Sequence, residues 1–535
     1  MKKMLFLVVL IALGLRVFHL TSNPPAISWD EASLGYNAFT ISTSGKDEHG
    51  EFLPLARFIA FGDYKPPGYI YTAVPFVKLL GLSVLSIRLP SVIAGIGMVI
   101  VTFFLVNELF GSKKMALLSS FFLAVSSWSI FLSRAAYESN LASFFNLCGI
   151  YFLYLSFRKK WTLILSVFFF WLSFYTFNAN RIIAPVLFIT LVIFNLKQVS
   201  RNIKWFILSM LLSVIFLLPS ISYLQSRESR LRFQEVSIFN NLEPIKLSNT
   251  RLQIDGMNII SRVMHNRRVI FALDFLKHYS DNFKFGFLFS QGDVNPRLNV
   301  QSMGQLYVYD LFFMMLAVYF ISKRLDKRII PIIIWMLIAP IPAGTARETP
   351  HALRILSILP TFQIISAYGL YYLIGWARNH LSRIKNYFLL SFLIVLVMTN
   401  IFYFLHDYLV HFPIEWSGEW QYGYKEMVQY VLGHEDKYDY IYVTSALGRP
   451  YIYFAFYKPY NQQEFIQSRI AERDWYGFWD VKSLGKINFD FKTLNQASGK
   501  VLVVSSESSI PQGYQFIKSV KNLKGENVFY LSEKL

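Results

Sequence analysis

Long apolar runs recur along the chain and are separated by short polar or basic segments. Several of these runs approach the roughly 20 residues that a perpendicular helix needs to cross a bilayer. The eleven runs that we predict as transmembrane helices are 4–20, 89–110, 115–132, 141–157, 161–177, 182–196, 205–221, 306–321, 329–341, 355–376 and 387–404. The pattern predicts an all-α polytopic membrane protein.

One further segment, 68–82, is apolar enough to cross but carries Pro75 and Lys78. The positive-inside rule decides its placement, because short loops rich in Lys and Arg face the cytoplasm. If 68–82 stays on the outer side, six basic segments all face inward, namely 2–3, 113–114, 158–160, 197–204, 323–328 and 378–385. We therefore predict a re-entrant or surface helix there, eleven crossings of the cell membrane, a cytoplasmic N-terminus and an extracytoplasmic C-terminus.

This topology assigns the longer polar segments to the outer face. A transmembrane domain over 1–405 includes the outer loops 21–88 and 222–305. The tail, 406–535, is too polar for the membrane and mixes helical and strand-like patterns, which predicts a small extracytoplasmic α/β domain. Its helical pattern is 424–432 and its strand-like runs are 438–443, 501–505 and 528–531.

The composition agrees with a membrane protein and indicates which classes of partner to expect. Apolar residues make up 54% of the chain and charged residues 16%, and the formal net charge is +19. Much of the basic charge lies in short loops between apolar runs, where it orients helices and contacts lipid headgroups. We therefore expect membrane lipids and no nucleic acid as partners. The single cysteine, Cys148, lies in an apolar run and excludes an intramolecular disulfide.

The first outer loop holds an acidic pair, Asp30 and Glu31, just after the first helix. Two carboxylates at the mouth of a membrane helix are costly unless they are solvated, paired or functional. Asp30 starting an amphipathic helix as its N-cap explains the pair about as well as a catalytic role does. The same loop ends with Tyr64 and Lys65 before a diproline. Lys65 is either a snorkelling anchor or a phosphate ligand.

The second outer turn places Arg134 four residues before Glu138. On a helix these two side chains would share a face and form a local ion pair. Alternatively, Glu138 supplies a second carboxylate on the side that holds Asp30, so that one acts as a base while the other orients it or holds a cation.

Further cations fall in the remaining outer loops. Arg347, His351 and Arg354 have helical spacing on paper, although Pro350 favours a helix that starts at the proline. Such a group beside a helix start suits an anion, and headgroup anchoring explains it nearly as well. Arg181 and Arg297 add two more arginines to this face, the latter within a turn signature at 292–297.

The chemistry that these residues indicate is a reaction with a substrate presented from the membrane. The chain contains no Walker or dinucleotide fingerprint, nucleophile elbow or zinc spacing. That argues against nucleotide-driven pumping, soluble-cofactor chemistry and serine hydrolysis. Cations at outer helix ends suit an anionic lipid headgroup, and a carboxylate suits a base.

The order of these motifs resembles the membrane glycosyltransferases that use polyprenyl-phosphate sugars, the C-type (GT-C) fold. The order is first helix, Asp-Glu loop, Lys-Pro-Pro, interfacial helix, Arg-Leu-Pro-Ser, two spans and Ser-Arg-x-x-x-Glu. Within that superfamily the chain is most similar to the protein O-mannosyltransferase and aminoarabinose transferase group, the glycosyltransferase family 39-like enzymes. The similarity covers about the first two hundred residues.

The resemblance implies roles for the candidate residues. Asp30 matches the base that deprotonates the acceptor hydroxyl, Glu31 its acidic neighbour, and Lys65 the residue that meets the lipid phosphate. Glu138 stands where the family usually has Asp after an Arg. The late loop with Arg347, His351 and Arg354 corresponds only by position to one that engages phosphate or acceptor.

The implied reaction is inverting transfer of a hexose or pentose from a polyprenyl-phosphate donor to an acceptor hydroxyl on a protein, lipid or glycan. A divalent metal ion is bound by some relatives and not by others, so metal use stays open. We expect Asp30, Lys65, Glu138 and Arg354 to line one outward cavity. The alternatives are a lipid or polysaccharide transporter, a membrane scaffold, and a polymer ligase that takes a lipid-diphosphate donor.

Overall fold

Helices make up most of the chain, and several of them are apolar, as expected for a membrane protein. The computed structural model describes residues 1–61, 63–474 and 477–535. Each of the eleven apolar runs overlaps a helix. In the described residues, five helices are long and apolar enough to cross a membrane, and six if the pair Lys113–Val125 and Ser127–Ser133, bent by 55°, forms one span. The number of crossings therefore stays a prediction.

The chain divides into two compact units. Unit 1 consists of Met1–Leu15, Ala94–Leu132 and Glu138–Phe404. One of its helices begins in unit 2, and three end one or two residues beyond unit 1. The helices are Lys2–Val17, Val84–Phe110, Lys113–Val125, Ser127–Ser133, Glu138–Leu155, Thr162–Phe174, Asn180–Phe194, Leu196–Ser200, Ile203–Gln225, Arg227–Val236, Glu243–Ile254, Ile259–Met264, Arg267–Asp281, Val308–Arg324, Ile330–Ile338, Ile341–Gly344, Thr361–His380 and Arg383–His406.

Small residues allow the helices of unit 1 to pack closely. Gly369 lies in the helix Thr361–His380, and a Cβ added there would come 2.0 Å from the carbonyl oxygen of Phe313 on a neighbouring helix. Gly149 is similarly covered by the ring of Phe170, 2.8 Å from such a Cβ. Small residues at helix interfaces let backbones approach, which is the usual packing of membrane helices.

Unit 2 consists of Arg16–Ile93, Ser133–Tyr137 and Leu405–Leu535, so it combines the first polar loop with the C-terminal tail. Its helices are Trp29–Ser44, Gly68–Leu80, Phe412–Glu415, Tyr424–Gly433, Pro450–Tyr457 and Gln462–Ser468. Its strands are β1 (Phe58–Ala60), β2 (Asp63–Lys65), β3 (Tyr440–Val443), β4 (Arg469–Arg473), β5 (Trp479–Leu484), β6 (Ile487–Asn488), β7 (Val501–Ser505), β8 (Gln515–Lys521) and β9 (Asn527–Lys534).

Strands β3 to β9 form one mixed sheet in the order β4-β5-β6-β3-β7-β9-β8. The central strand β3 is parallel to both β6 and β7, and the outer pairs are antiparallel. Strand β7 begins with four buried residues in a row, as expected for a strand covered on both faces. The tail was predicted to form a small α/β domain, and a C-terminal β-sheet domain is confirmed. Its extent over 406–535 stays a prediction. The boundary between 405 and 406 as a limit of the transmembrane domain stays a prediction.

Candidate active site

The acidic pair lies in the first turn of the helix Trp29–Ser44. The N-cap of this helix is Ser28, so the interpretation of Asp30 as the cap is wrong. The Ser28 hydroxyl accepts from the backbone N–H of Glu31 at 3.3 Å, and the Glu31 carboxylate accepts from the N–H of Ser28 at 3.1 Å. This reciprocal capping box holds the Glu31 side chain in place, and Asp30 takes no part in it.

Glu31 is buried, with 2% of its surface exposed, and it forms an ion pair with Arg88. Its two oxygens accept from Nε and Nη2 of Arg88 at 2.9 and 3.1 Å. The backbone N–H of Ala136 donates to the same carboxylate at 3.0 Å. A buried carboxylate with this many charged and backbone donors is held firmly in place. The catalytic role predicted for Glu31 stays a prediction.

Arg88 organises the chain that leads into the helix. It is fully buried, and its guanidinium donates to three backbone carbonyl oxygens, those of Leu20 (2.8 Å), Pro24 (3.0 Å) and Ala26 (2.6 Å). The sequence shows Arg88 only as the first residue of an Arg-Leu-Pro-Ser motif, and we had assigned it no role. An arginine at the start of a long apolar run is a feature that could have marked it.

The turn before the helix that begins at Glu138 holds Arg134, which is also fully buried. Its Nη2 donates to the carbonyl oxygens of Phe18 and Asn23 at 2.6 and 2.8 Å, and its Nε donates to the hydroxyl of Tyr408 at 3.2 Å. Because residues 134–137 are not helical, Arg134 and Glu138 do not share a helical face. Arg134 thus braces the loop after the first helix, and its assignment to phosphate stays a prediction.

Asp30 differs from its neighbour in exposure. Its side chain is 48% exposed, and its Oδ1 lies 2.8 Å from Nζ of Lys65, whose side chain is only 5% exposed. Lys65 ends strand β2, which pairs with β1 so that Lys65 faces Phe58. The adjacent Tyr64 is buried and lies 6.0 Å, between ring centroids, from Phe478. The solvent-accessible carboxylate of Asp30 thus contacts a lysine that is itself buried, on a strand with the buried Tyr64.

Residues of the C-terminal tail position the residue before Asp30. The Trp29 backbone N–H donates to Oε1 of Gln421 at 3.0 Å, and the Tyr453 hydroxyl donates to the same oxygen at 2.6 Å. Gly448 lies against the Trp29 indole with a φ of +128°, and a Cβ added there would come 2.5 Å from the ring.

Gly448→Ala should therefore destabilise unit 2 and disturb Trp29. We expect a loss of roughly 1–3 kcal/mol, because a side chain at this φ is strained and also meets the indole. The measurement is the unfolding midpoint of the detergent-solubilised protein. Gly485→Ala is the matched control, since its φ is +58° and no atom lies within 4 Å of the added Cβ. Equal midpoints for the two variants would contradict this packing.

An acidic turn that we did not single out in the sequence follows the same helix. Asp47 and Glu48 are fully buried. Oδ1 of Asp47 accepts from the backbone N–H groups of His49 and Glu51 at 2.9 and 2.8 Å, and the N–H of Glu48 donates to Asn37 at 3.1 Å. Burial raises the pKa of Asp47. The turn closes the helix onto the following loop.

Unit 1 holds a second polar cluster, which joins two loops 59 residues apart in sequence. The carboxylate of Asp293 accepts from the backbone N–H of Asn295 at 2.9 Å and of Ala352 at 2.7 Å, and lies 4.0 Å from Nδ1 of His351. Asp293 is 2% exposed, and burial raises its pKa. The backbone N–H of His351 donates to Asn282 at 3.2 Å.

Asp281, which we did not predict from the sequence, belongs to the same cluster. It accepts from the Thr349 hydroxyl at 2.9 Å and lies 2.6 Å from Nζ of Lys284. Burial alone would raise the pKa of Asp281, but the hydrogen bonds from Lys284 and Thr349 outweigh burial and lower it.

The helical spacing expected for Arg347, His351 and Arg354 is wrong. Residues 350–355 form bends and turns, and the next α-helix begins at Thr361 rather than at Pro350. Arg347 donates from Nε to the Ser237 carbonyl at 3.0 Å, and Arg354 donates to the Glu348 carbonyl at 2.9 Å. A proline-containing loop anchored by buried carboxylates replaces the expected helix.

The remaining candidates of unit 1 lie on separate elements. The Arg181 guanidinium lies 4.9 Å from the centroid of the Tyr223 ring, a cation–π distance. Arg297 is half-buried, and Glu138 is the first residue of its helix. Whether these residues bind substrate stays a prediction. In the described part of the chain, no group of three or more His, Cys, Asp or Glu is arranged to hold a metal ion.

Comparison with known proteins gives a match to one family model over part of the chain and a likeness of fold to solved structures. Residues 6–232 match the family model of dolichyl-phosphate-mannose-protein mannosyltransferases. That region contains the acidic pair, Lys65, Arg88 and the 134–138 turn. A search of curated proteins gave no match.

Among solved structures, ArnT from Cupriavidus metallidurans bound to undecaprenyl phosphate is 11% identical, with a TM-score of 0.55 over 99% of this chain and 98% of that chain. The oligosaccharyltransferase AglB from Archaeoglobus fulgidus, in complex with an inhibitory peptide and a dolichol-phosphate, is 12% identical, with a TM-score of 0.50 over 94% and 69%. The chain covers 62% of the same organism's enzyme tethered with an acceptor peptide. At such identities the likeness is one of fold. Together, the family model and the fold confirm the resemblance of this chain to the C-type membrane glycosyltransferases, and among them to the protein mannosyltransferase and ArnT group.

Proposed function

We propose that the protein is an inverting glycosyltransferase that moves a sugar from a polyprenyl-phosphate donor to an acceptor hydroxyl on the extracytoplasmic face of the cell membrane. The observation that carries this proposal is that the two residues of the acidic pair differ in burial and in their partners. Glu31 is buried against Arg88, whereas Asp30 presents an accessible carboxylate beside Lys65. That difference supports Asp30 as the reacting group and Glu31 as its anchor.

In the proposed reaction, the acceptor oxygen attacks the anomeric carbon on the face opposite the phosphate. The new bond joins this oxygen to the anomeric carbon, and the bond from that carbon to the phosphate oxygen breaks. Asp30 takes the proton of the acceptor hydroxyl, and the donor leaves as polyprenyl phosphate. A positioned general base of this kind typically contributes 10²- to 10⁴-fold to the rate.

Lys65 is the proposed partner of the leaving phosphate. An ammonium has three N–H donors, so it can bridge the Asp30 carboxylate and a phosphate oxygen. Positive charge fixed where negative charge develops is usually the largest electrostatic contribution to such a transfer. Arg181, Arg297, Arg347, His351 and Arg354 remain proposed phosphate or acceptor ligands, and no step is assigned to a metal ion.

The proposal predicts transfer in membranes that contain the protein. With a panel of radiolabelled polyprenyl-phosphate hexoses and pentoses, at least one sugar should pass to membrane acceptors. Its anomeric configuration should be inverted, and polyprenyl phosphate should be the lipid product. Retention of configuration or a covalent sugar–protein adduct would overturn the mechanism.

The same assay separates the two principal alternatives. A polymer ligase with a lipid-diphosphate donor would release polyprenyl diphosphate, which thin-layer chromatography distinguishes from the monophosphate. A transporter would move labelled lipid or glycan across the vesicle membrane without forming a new glycosidic bond. Transporters usually place ionisable groups at the membrane midplane, whereas the acidic pair here follows the first apolar helix, which supports the transferase.

We also propose that the N-terminus is cytoplasmic and that the acidic loop and the tail are extracytoplasmic. The distribution of Lys and Arg in the short loops supports this orientation. Four helix ends predicted to face inward, those at Met4, Lys114, Arg324 and Arg378, also border one common cavity in unit 1. That grouping agrees with their lying at one membrane face.

A further inference from the structure

A cavity of about 790 Å³ lies in unit 1 at the start of the helices Lys2–Val17 and Lys113–Val125 and at the end of the helices Val308–Arg324 and Thr361–His380. Its volume falls within the range of roughly 300–1,000 Å³ that is usual for ligand sites. It lies apart in sequence from the acidic loop, and no step of the proposed reaction uses it.

The lining of this cavity is basic on one part and apolar on another. Lys114, Arg324, Arg378 and His380 supply the cationic part. The apolar part is formed by Met4, Leu117, Leu118, Phe320, Ile374 and Trp376. Among the described residues, no Asp or Glu lines this cavity, so no carboxylate of the lining neutralises its cations. An amphiphile with an anionic head fits such a lining better than a small inorganic ion does.

The aromatic residues of the cavity hold its cations in place. The Arg324 guanidinium lies 4.3 Å from the centroid of the Tyr372 ring. The nearby carboxylate of Asp326 is occupied by Arg328, with Nη2 and Oδ2 2.8 Å apart. The His380 ring stacks on Trp376 with centroids 5.2 Å apart. The Tyr372 ring thus orients Arg324, while the nearby Asp326 forms its ion pair with Arg328 instead.

We propose that this cavity binds an anionic phospholipid, with the phosphate between Arg324, Arg378 and Lys114 and the acyl chains along the apolar wall. Basic sites between membrane helices on the cytoplasmic side are suited to acidic headgroups. The opposing explanation is that the cations only orient the helices, with Arg324 and Arg378 also complementing the negative ends of their helix dipoles. That explanation requires no bound lipid and makes a different prediction.

The test uses the purified full-length protein in a non-ionic detergent and native mass spectrometry. The probes are phosphatidylglycerol and phosphatidylcholine with the same acyl chains, each titrated separately. We expect selective retention of phosphatidylglycerol. The double variant Arg324→Ala/Arg378→Ala should bind it about thirtyfold more weakly, since each basic residue near an anionic lipid contributes about a factor of five. Arg201→Ala/Lys204→Ala removes two exposed cations elsewhere and should leave binding unchanged.

A second variant tests whether the space in the cavity, rather than its positive charge alone, is needed for lipid binding. Gly375 lines the cavity, and a Cβ added there meets no atom within 4 Å. Gly375→Phe should therefore fill the space without removing any cation, and should weaken phosphatidylglycerol binding while the unfolding midpoint is kept. A third arm adds inorganic phosphate as a competitor, which should not displace the lipid.

The outcomes are distinct. Equal retention of the two lipids by the wild type, or undiminished binding by the double variant, would overturn the proposal in favour of a purely topogenic role. Displacement by inorganic phosphate would identify a free-phosphate site instead and would equally overturn it. Sugar transfer is not the readout, so the result is independent of the proposed enzymatic function.

Discussion

Asp30→Asn should lower the rate of sugar transfer by about 10²- to 10⁴-fold, the range associated with a lost general base. Asn has nearly the same shape and its amide oxygen can still accept from Nζ of Lys65, which lies 2.8 Å from the Asp30 carboxylate. The loss should therefore fall on kcat rather than on KM, because the substitution removes the proton acceptor and keeps the local packing. Initial rates in membranes with the labelled donor supply the measurement.

Asp63→Asn is the matched control for this substitution. Asp63 lies on the same strand as Lys65, and its carboxylate accepts from the adjacent Tyr64 N–H at 2.8 Å. It should leave kcat within about twofold, since the proposed reaction assigns it no role. If Asp30→Asn transferred sugar as fast as this control, Asp30 would not be the base. A membrane scaffold would then explain the acidic loop better.

The helical part of the fold could be predicted because it follows from local composition. Each apolar run is a segment whose backbone must satisfy its own hydrogen bonds in lipid, so it forms a helix regardless of the rest of the chain. The bend between Lys113–Val125 and Ser127–Ser133, within one predicted run, could not be foreseen in this way. The break falls at Ser126, whose hydroxyl accepts from the backbone N–H of Ser129 at 3.4 Å and caps the second helix.

The candidate site was predicted less completely, for a different reason. Adjacent carboxylates look alike in sequence, and the choice between a cap and a catalytic group was even. In the structure the N-cap is Ser28, and Glu31 completes the capping box. Arg88 and Ala136, which lie 57 and 105 residues away, also hold the Glu31 carboxylate. Such separations leave no local signal of which side chains are partners, so the ion pair of Glu31 with Arg88 was not predicted.

The polar loops of unit 1 illustrate the same limit. The spacing of Arg347, His351 and Arg354 suggested a helix, but spacing counts residues and ignores what else binds the backbone. Asp293 accepts from the N–H of Ala352, so this part of the loop is held by a distant carboxylate and not by helical hydrogen bonds. This contact joins residues 59 positions apart, so the spacing within the loop carries no sign of it.

Arg88→Ala should be among the most destabilising single substitutions in unit 2. The Arg88 side chain is fully buried and donates five hydrogen bonds. Two go to the Glu31 carboxylate and three to backbone carbonyl oxygens. Its removal leaves Glu31 as a buried charge without its partner, which typically costs about 3–5 kcal/mol. Equilibrium unfolding in mixed detergent micelles, followed by tryptophan fluorescence, measures the loss. Arg88→Lys should recover only part of it, because an ammonium cannot reproduce the planar fork.

A double-mutant cycle then distinguishes the charge of the pair from its packing. Glu31→Gln combined with Arg88→Ala should be less destabilising than the sum of the two single variants, because the unpaired buried charge is absent from the double variant. The pair between Arg158 and Glu108 is the control, since the Arg158 side chain is 68% exposed although that of Glu108 is 13% exposed. Arg158→Ala should cost only about 0–1 kcal/mol. If Arg88→Ala were as mild as Arg158→Ala, the buried pair would not be the support that holds Asp30 in position.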